Sequence, residues 1–301
     1  MQIVVRQISG LGNQLFQYAA GRYYAKRHQA SLRLAIDPPD RASSGGHPRP
    51  FLLSHFAIEV PTPELTRVER LILAQRRGLA TVAALHNRLR GIRVFTEPID
   101  RRYSFIPEIP PDRLARTVYL AGYWQTRQMV DAVEDELRRE LQLREAATGR
   151  NLEVLQQIQN TADPISLHVR RGDYTMAAEG RIALPMSYYT QAIEAIRQRV
   201  ANPTFFVFSD DMAFCRANLS LGPQTVFIDH NDETAPHEDL RLMSACRHHI
   251  IANSTLSWWG AWLNPRKDKM VVAPKYWHLR RESFYPGLLP PDWTTIAIEP
   301  L

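Results

Sequence analysis

Four places in the chain gather charged, hydroxyl or glycine residues where an apolar run stops, and each could serve anion or sugar chemistry. HVRRGDY (168–174) follows ISL, GLGNQ (10–14) follows IVVRQI, FSDD (208–211) ends TFFVFS, and ANST (252–255) follows HHII. Strand alternation puts His168 and Arg170 on one face and Val169 and Arg171 on the other, so one arginine of the pair is enough to meet a ligand. Arginine offers a rigid fork of donors with a permanent charge, which suits a phosphate. Asp173 can hold the neighbouring arginine or cap the turn. The same residues also make an ordinary surface ion pair, and HVRRGDY alone does not choose.

GLGNQ can aim backbone amides at an anion or a sugar from a helix start, or it can be a tight turn with Asn13 as the helix cap. It fails as a dinucleotide fingerprint, because Leu15 stands where a third glycine is required. In FSDD, Ser209 precedes two carboxylates, Asp210 and Asp211. A carboxylate at such a strand end can accept paired hydrogen bonds from the edge of a guanine, and one of the two is expected to cap the following helix. A metal site is the third reading, weakened because no other acidic pair lies at a comparable strand end.

Asn253, Ser254 and Thr255 bring an amide and two hydroxyls to another helix start, either to receive a phosphate or as a plain cap. The tryptophans after them read as packing. Glu238 and Asp239 fall in the first turn of a further helix, where acids offset the helix dipole; a ribose hydroxyl contact is the functional alternative. His248 and His249 lack a third partner at metal-ligand spacing.

The elements that must position these residues alternate. Strand patterns at 3–8, 31–36 and 117–123, with helices after 10 and over 126–141, make a first series. Residues 51–117 are less regular, with helical character over 64–90. Strands at 165–169, 204–209, 225–228, 248–252 and 270–273, with helices near 187–200, 211–218, 237–246 and 254–263, make a second. The pattern predicts an α/β protein of two Rossmann-like domains facing each other across a cleft. The expected domains are 1–155 and 156–301, with the final segment free to cross back to the first.

The 301 residues carry 37 basic and 31 acidic side chains, a formal charge of +6, and the pI is about 9.5. A nucleic acid, an acidic membrane surface or a phosphorylated small molecule would each suit that balance. Nucleic-acid binding is disfavoured, since the arginines of interest sit at strand ends beside carboxylates and no basic stripe interleaves with aromatics. MQIVVRQISG lacks the pattern of a signal peptide and no run approaches a membrane span, so a cytoplasmic protein is expected. Cys215 and Cys246 are expected to be buried free thiols.

Taken together, GLGNQLFQYAAGRYYA (10–25), HVRRGDY, FSDD and LMSACRHHIIANSTLSWWGAWLNP (242–265) resemble the alpha-1,2-fucosyltransferases, inverting enzymes of GT-B fold that use GDP-fucose. The resemblance implies a galactose-terminated glycan as acceptor and no metal or other cofactor. It implies that Arg170 binds the diphosphate, that His168 with Asp210 or Asp211 holds the guanine, and that Asp173 orders the arginine turn. Ser254 and Thr255, after Asn253, would close on the phosphates, and Gly12 and Asn13 would approach the fucose. Ser209 and Asp239 complete the expected donor set. Asp37, at the end of the second strand, is a candidate general base or a turn aspartate. The alternatives are a GDP-fucose transferase of another linkage, alpha-1,6 or protein-O.

Overall fold

The computed structural model describes residues 1–36, 50–74, 91–98, 106–109, 116–172, 183–277 and 287–298. The chain forms two compact units, Met1–Arg144 with Pro286–Leu288, and Glu145–Tyr285 with Leu289–Leu301. The division falls earlier than the expected boundary after residue 155. The reason is a helix that the sequence pattern does not announce: Gly149–Asn160 buries Val154 and Ile158 in one cluster with Phe206, Phe208, Leu242 and Met243 of the second unit.

In the first unit, β1 (Gln2–Gln7), α1 (Leu11–His28) and β2 (Ser31–Ile36) form a parallel strand–helix–strand start. Then come α2 (Arg67–Ala74), β3 (Ile92–Thr96), β4 (Thr117–Ala121), α3 (Arg127–Asp131) and α4 (Glu134–Glu140). The strands build a four-stranded sheet of order β2-β1-β4-β3 in which every pair is parallel. Helix α1 lies close on β1 and β2 because position 21 is glycine: a Cβ there would stand 2.6 Å from a Val5 methyl and 2.8 Å from a Leu32 methyl. The single helix expected over 126–141 is two, interrupted at Ala132 and Val133; Met129, Val133 and Leu137 all stay buried across the break.

The second unit runs α5 (Gly149–Asn160), β5 (Asp163–Val169), α6 (Met186–Arg197), β6 (Pro203–Ser209), α7 (Met212–Asn218), β7 (Val226–Ile228), α8 (Pro236–Ala245), β8 (His248–Ile250), α9 (Thr255–Leu263), β9 (Val271–Pro274) and β10 (Thr294–Ile296). Its six strands are ordered β10-β9-β8-β5-β6-β7, again all parallel. Parallel strands need cover on both faces, and the near-continuous apolar runs of β5 and β6 supply it. Ile165, Leu167 and Val169 pack on one face with Tyr188, Ile193 and Cys215; Phe206 and Phe208 face the other, beneath α5 and α8. Both cysteines are buried free thiols. Both units are therefore Rossmann-like. No described helix is long and apolar enough to cross a membrane.

Candidate functional site

Strand register brings two of the sequence motifs together. His168 of β5 pairs with Phe208 of β6 and Val169 with Ser209, so HVRRG and FSDD leave the sheet side by side. At that edge Asp210 takes three donors. Its Oδ1 accepts the Arg171 amide at 2.8 Å, and its Oδ2 accepts the Gly172 amide at 3.0 Å and pairs with Arg170 Nη1 at 3.1 Å. Glycine at 172 permits this approach, since a Cβ would lie 2.6 Å from Asp210 Oδ2. The carboxylate thus fixes the turn and steers the Arg170 guanidinium.

Asp211 has a different task. It is the N-cap of α7, accepting from the Phe214 amide at 3.0 Å, while its own amide donates to Ser209 Oγ at 2.9 Å. Its Oδ2 accepts from Arg171 Nε at 3.1 Å, and that guanidinium lies 3.5 Å above the centre of the Phe214 ring. Ser209, Arg171 and Asp211 are committed to the strand-to-helix turn. The expected capping aspartate is present; Asp210 takes three donors on its two oxygens, whereas Asp211 takes one on each and keeps acceptor capacity on both.

His168 is 4% exposed and its Nδ1 has no hydrogen-bond partner among the described residues. Burial, reinforced by the charge of Arg170, lowers its pKa to about 3. The ring is therefore neutral and can offer one donor and one acceptor. It shares its face of the sheet with Phe208, which clusters with Leu242 and Met243 of α8. In the first turn of that helix Asp239 accepts Asn231 Nδ2 on Oδ1 at 2.8 Å. Burial raises Asp239 to about 7; the Asn231 bond opposes the shift and the Glu238 charge adds to it. Asp239 thus changes charge near neutrality, and its Oδ2 keeps open acceptor capacity.

Helix α9 begins after Ser254, whose backbone has the extended conformation of an N-cap but whose side chain makes no capping bond. The Ser254 hydroxyl and the first-turn amides, Thr255 among them, are not spent on one another. Asn253 is 2% exposed and donates Nδ2 to the Trp277 carbonyl at 3.2 Å, tying down the loop before the helix. Behind it, a Cβ on Gly260 would lie 2.9 Å from Met243 Cβ, so α9 packs tightly on α8. Trp258, Trp259 and Trp262 are buried against one another, in line with the packing role expected for them. His248 Nδ1 accepts the Met270 amide, and His249 Nε2 meets Asn264 Nδ2 at 2.8 Å, so both serve the core. Among the described residues no three His, Cys, Asp or Glu side chains come together to hold a metal ion.

In the first unit the N-cap of α1 is Gly10, not Asn13. The helix starts three residues sooner than expected, directly after Ser9 in left-handed backbone at φ 68°. Asn13 lies within the first turn, donating to Ser9 Oγ at 2.9 Å and accepting from Gln125 Nε2 at 2.6 Å. Gly12 is buried, whereas a Cβ on Gly10 would meet nothing within 4 Å, so the space above the helix start is open. Two buried glutamines support this turn and were not singled out in the sequence. Gln14 donates to the carbonyls of Ser9 and Pro50, and Gln17 accepts the Ile8 amide and donates to the Gly122 carbonyl. Their signal was an amide on the apolar side of α1. Gln7, which ends β1, is 4% exposed with neither side-chain amide atom bonded among the described residues, and it too escaped notice. Asp37 and Asp173 lie outside the described residues.

Residues 108–297 match the family model of glycosyl transferase family 11. The chain is 31% identical over 280 residues to the O-antigen biosynthesis glycosyltransferase WbnK of Escherichia coli, covering 89% of this chain and 92% of that one. It is 29% identical over 307 residues to an alpha-1,2-colitosyltransferase of Escherichia coli, covering 98% of each. The crystal structure of NodZ alpha-1,6-fucosyltransferase soaked with GDP-fucose aligns at TM-score 0.53 and 16% identity over 88% of this chain and 92% of that one, which shows a common fold. With two Rossmann-like units, a shared fold and a family match over more than half its length, the chain is a GT-B glycosyltransferase and belongs to glycosyl transferase family 11.

Proposed function

We propose that the chain transfers L-fucose from GDP-beta-L-fucose to the 2-hydroxyl of a terminal galactose, giving an alpha-1,2-fucoside and GDP. The observation that carries this reading is Arg170, held at the end of β5 by Asp210 and flanked on its own face by the neutral, buried His168. In the reaction the bond from fucose C1 to the diphosphate breaks as the galactose oxygen attacks the opposite face of C1, which inverts the configuration. Negative charge grows on the departing GDP. The Arg170 fork and the uncapped start of α9 at Ser254 and Thr255 meet that charge, so no metal ion is assigned to the step.

His168 faces the guanine. Asp211, with one donor on each oxygen, and Asp239, with Oδ2 open, are the carboxylates that meet the guanosine. Gly12 and Asn13 approach the sugar from the open start of α1. Asp37 takes the galactose proton, and Asp173 serves to order the neighbouring arginines.

The relationship to a colitosyltransferase favours a second reading of the donor alone. Colitose is fucose without its 3-hydroxyl, so the two readings differ in whether the pocket bonds that group. Incubation with GDP-fucose, or with its 3-deoxy counterpart, and a panel of galactosides in EDTA tests both. GDP release and a product with an alpha-1,2 linkage are expected from GDP-fucose. A product only from the 3-deoxy sugar selects the second reading, and no turnover without added metal overturns the metal-free step.

A further inference from the structure

Helix α2 displays an arrangement that the transfer reaction does not use. Val68 is 60% and Leu71 is 76% exposed, one turn apart on the same face, and Arg67 beside them is exposed as well. The opposite face supplies the packing: Ile72 and Leu73 rest on the cluster of Val4, Ala35, Leu65 and Tyr119. Glu69, the one acid of the helix, is turned inward. It is 8% exposed, pairs with Arg33, accepts the Tyr119 hydroxyl at 3.0 Å and takes the Thr66 amide at 2.9 Å. Its negative charge is consumed within the fold. What points outward is apolar and cationic.

The described helix carries two cations, the exposed Arg67 and the half-buried Arg70, against the inward-turned Glu69. A helix that presents aliphatic side chains flanked by arginine, with its acid withdrawn, matches the chemistry of an anionic lipid surface: the apolar residues enter the acyl boundary and the arginines pair with phosphates. A protein partner would be expected to bring acids to the arginines and an apolar surface to Val68 and Leu71. A lipid leaflet supplies both at once and needs no shape match, which two side chains are too few to specify.

We propose that the exposed face of α2 docks the protein on an anionic membrane surface. The proposal does not depend on which sugar is transferred.

Sedimentation with vesicles tests it. The full chain is mixed with vesicles of phosphatidylcholine alone or with phosphatidylglycerol as one third of the lipid, at low and at 0.5 M salt. Binding is expected only to the phosphatidylglycerol vesicles and is expected to weaken with salt. The V68S/L71S variant keeps every charge, so it separates docking through α2 from general attraction to a basic protein; it should lose about tenfold or more in apparent vesicle affinity. Its melting temperature and its GDP release with a free galactoside should match wild type. Failure of the wild type to bind, or equal binding by V68S/L71S, overturns the proposal. So does a wild-type dimer in solution that V68S/L71S turns into a monomer, because the face would then belong to a second copy.

Discussion

Asp210→Asn separates a carboxylate that steers Arg170 from one that caps a helix and holds Arg171. The side chain accepts three donors on two oxygens, from the Arg171 amide, the Gly172 amide and Arg170 Nη1. An amide of the same shape has a single oxygen. If that oxygen takes the Gly172 and Arg170 side, an NH2 group opposes the Arg171 amide; in the other orientation it opposes the other two. At least one bond to a charged acceptor is lost, about 1.5–3 kcal/mol in a buried setting, and the survivors weaken because the acceptor is neutral. With the Asp210 side chain 24% exposed, the expected cost in stability is about 1–2 kcal/mol. The functional cost is larger. Arg170 is no longer steered, and a displacement of about 1 Å in a group that meets the departing diphosphate costs on the order of a hundredfold in rate. Asp211→Asn is the control, since asparagine caps as well as aspartate and the amide can still accept from Phe214. GDP release under saturating donor, together with thermal melts, should rank Asp210→Asn roughly ten- to a hundredfold below Asp211→Asn in kcat. Equal kcat for the two, or a larger loss for Asp211→Asn, would refute the role given to Asp210.

Arg170→Ala should lower kcat by about a hundredfold to a thousandfold, the cost of one preorganised donor at a developing charge, and Arg170→Lys should recover little because the fork is gone. Turnover near wild type in Arg170→Ala would remove the central assignment. For Asp239 the folded pKa of about 7 lies above the ordinary 3.8, so the unfolded chain ionises first as pH rises and wild-type stability falls between about pH 4 and 7. Asp239→Asn lacks this penalty; chemical denaturation should show its advantage over wild type growing across that window by up to about 4 kcal/mol, and a difference independent of pH would contradict the burial argument. Gly260→Ala places a Cβ 2.9 Å from Met243 Cβ, and despite the better helix propensity of alanine a net loss of about 1–2 kcal/mol is expected in thermal melts. An unchanged melting temperature would show that α8 and α9 can part without cost.

What could be read without coordinates was set by how each segment announces itself. Strands β5 and β6 are unbroken apolar runs that end abruptly in charge, so HVRRG and FSDD were visible both as strand ends and as site candidates. Helix α5 does not announce itself because NLEVLQQIQN buries only Val154 and Ile158, too sparse a stripe to mark a helix. Strand β3 hides within an arginine-rich stretch, and its five residues are only half-buried or exposed. The cap of α1 was misplaced because glycine has no side chain to mark it, whereas Asn13 three residues later has one of the right kind. The division of labour between Asp210 and Asp211 depends on which amide faces which oxygen, and adjacent identical residues carry no such information. Gln7, Gln14 and Gln17 were overlooked because an uncharged amide leaves little trace in a hydropathy pattern.

The short return of the chain at Gly287 and Leu288 has a consequence for anyone who wishes to study the units apart. Leu288 is fully buried among the first unit's residues, and the Gly287 carbonyl accepts the Arg127 amide at 2.8 Å, yet the residues on both sides belong to the second unit. The polypeptide therefore crosses between the units three times rather than once. No single cut yields two whole pieces: a fragment ending at Arg144 lacks its Leu288 plug, and one ending before residue 286 also forfeits the edge strand β10. Dissecting the protein would require grafting the 286–288 peptide onto the N-terminal piece, as one would splice a missing thread into a knot before pulling it tight.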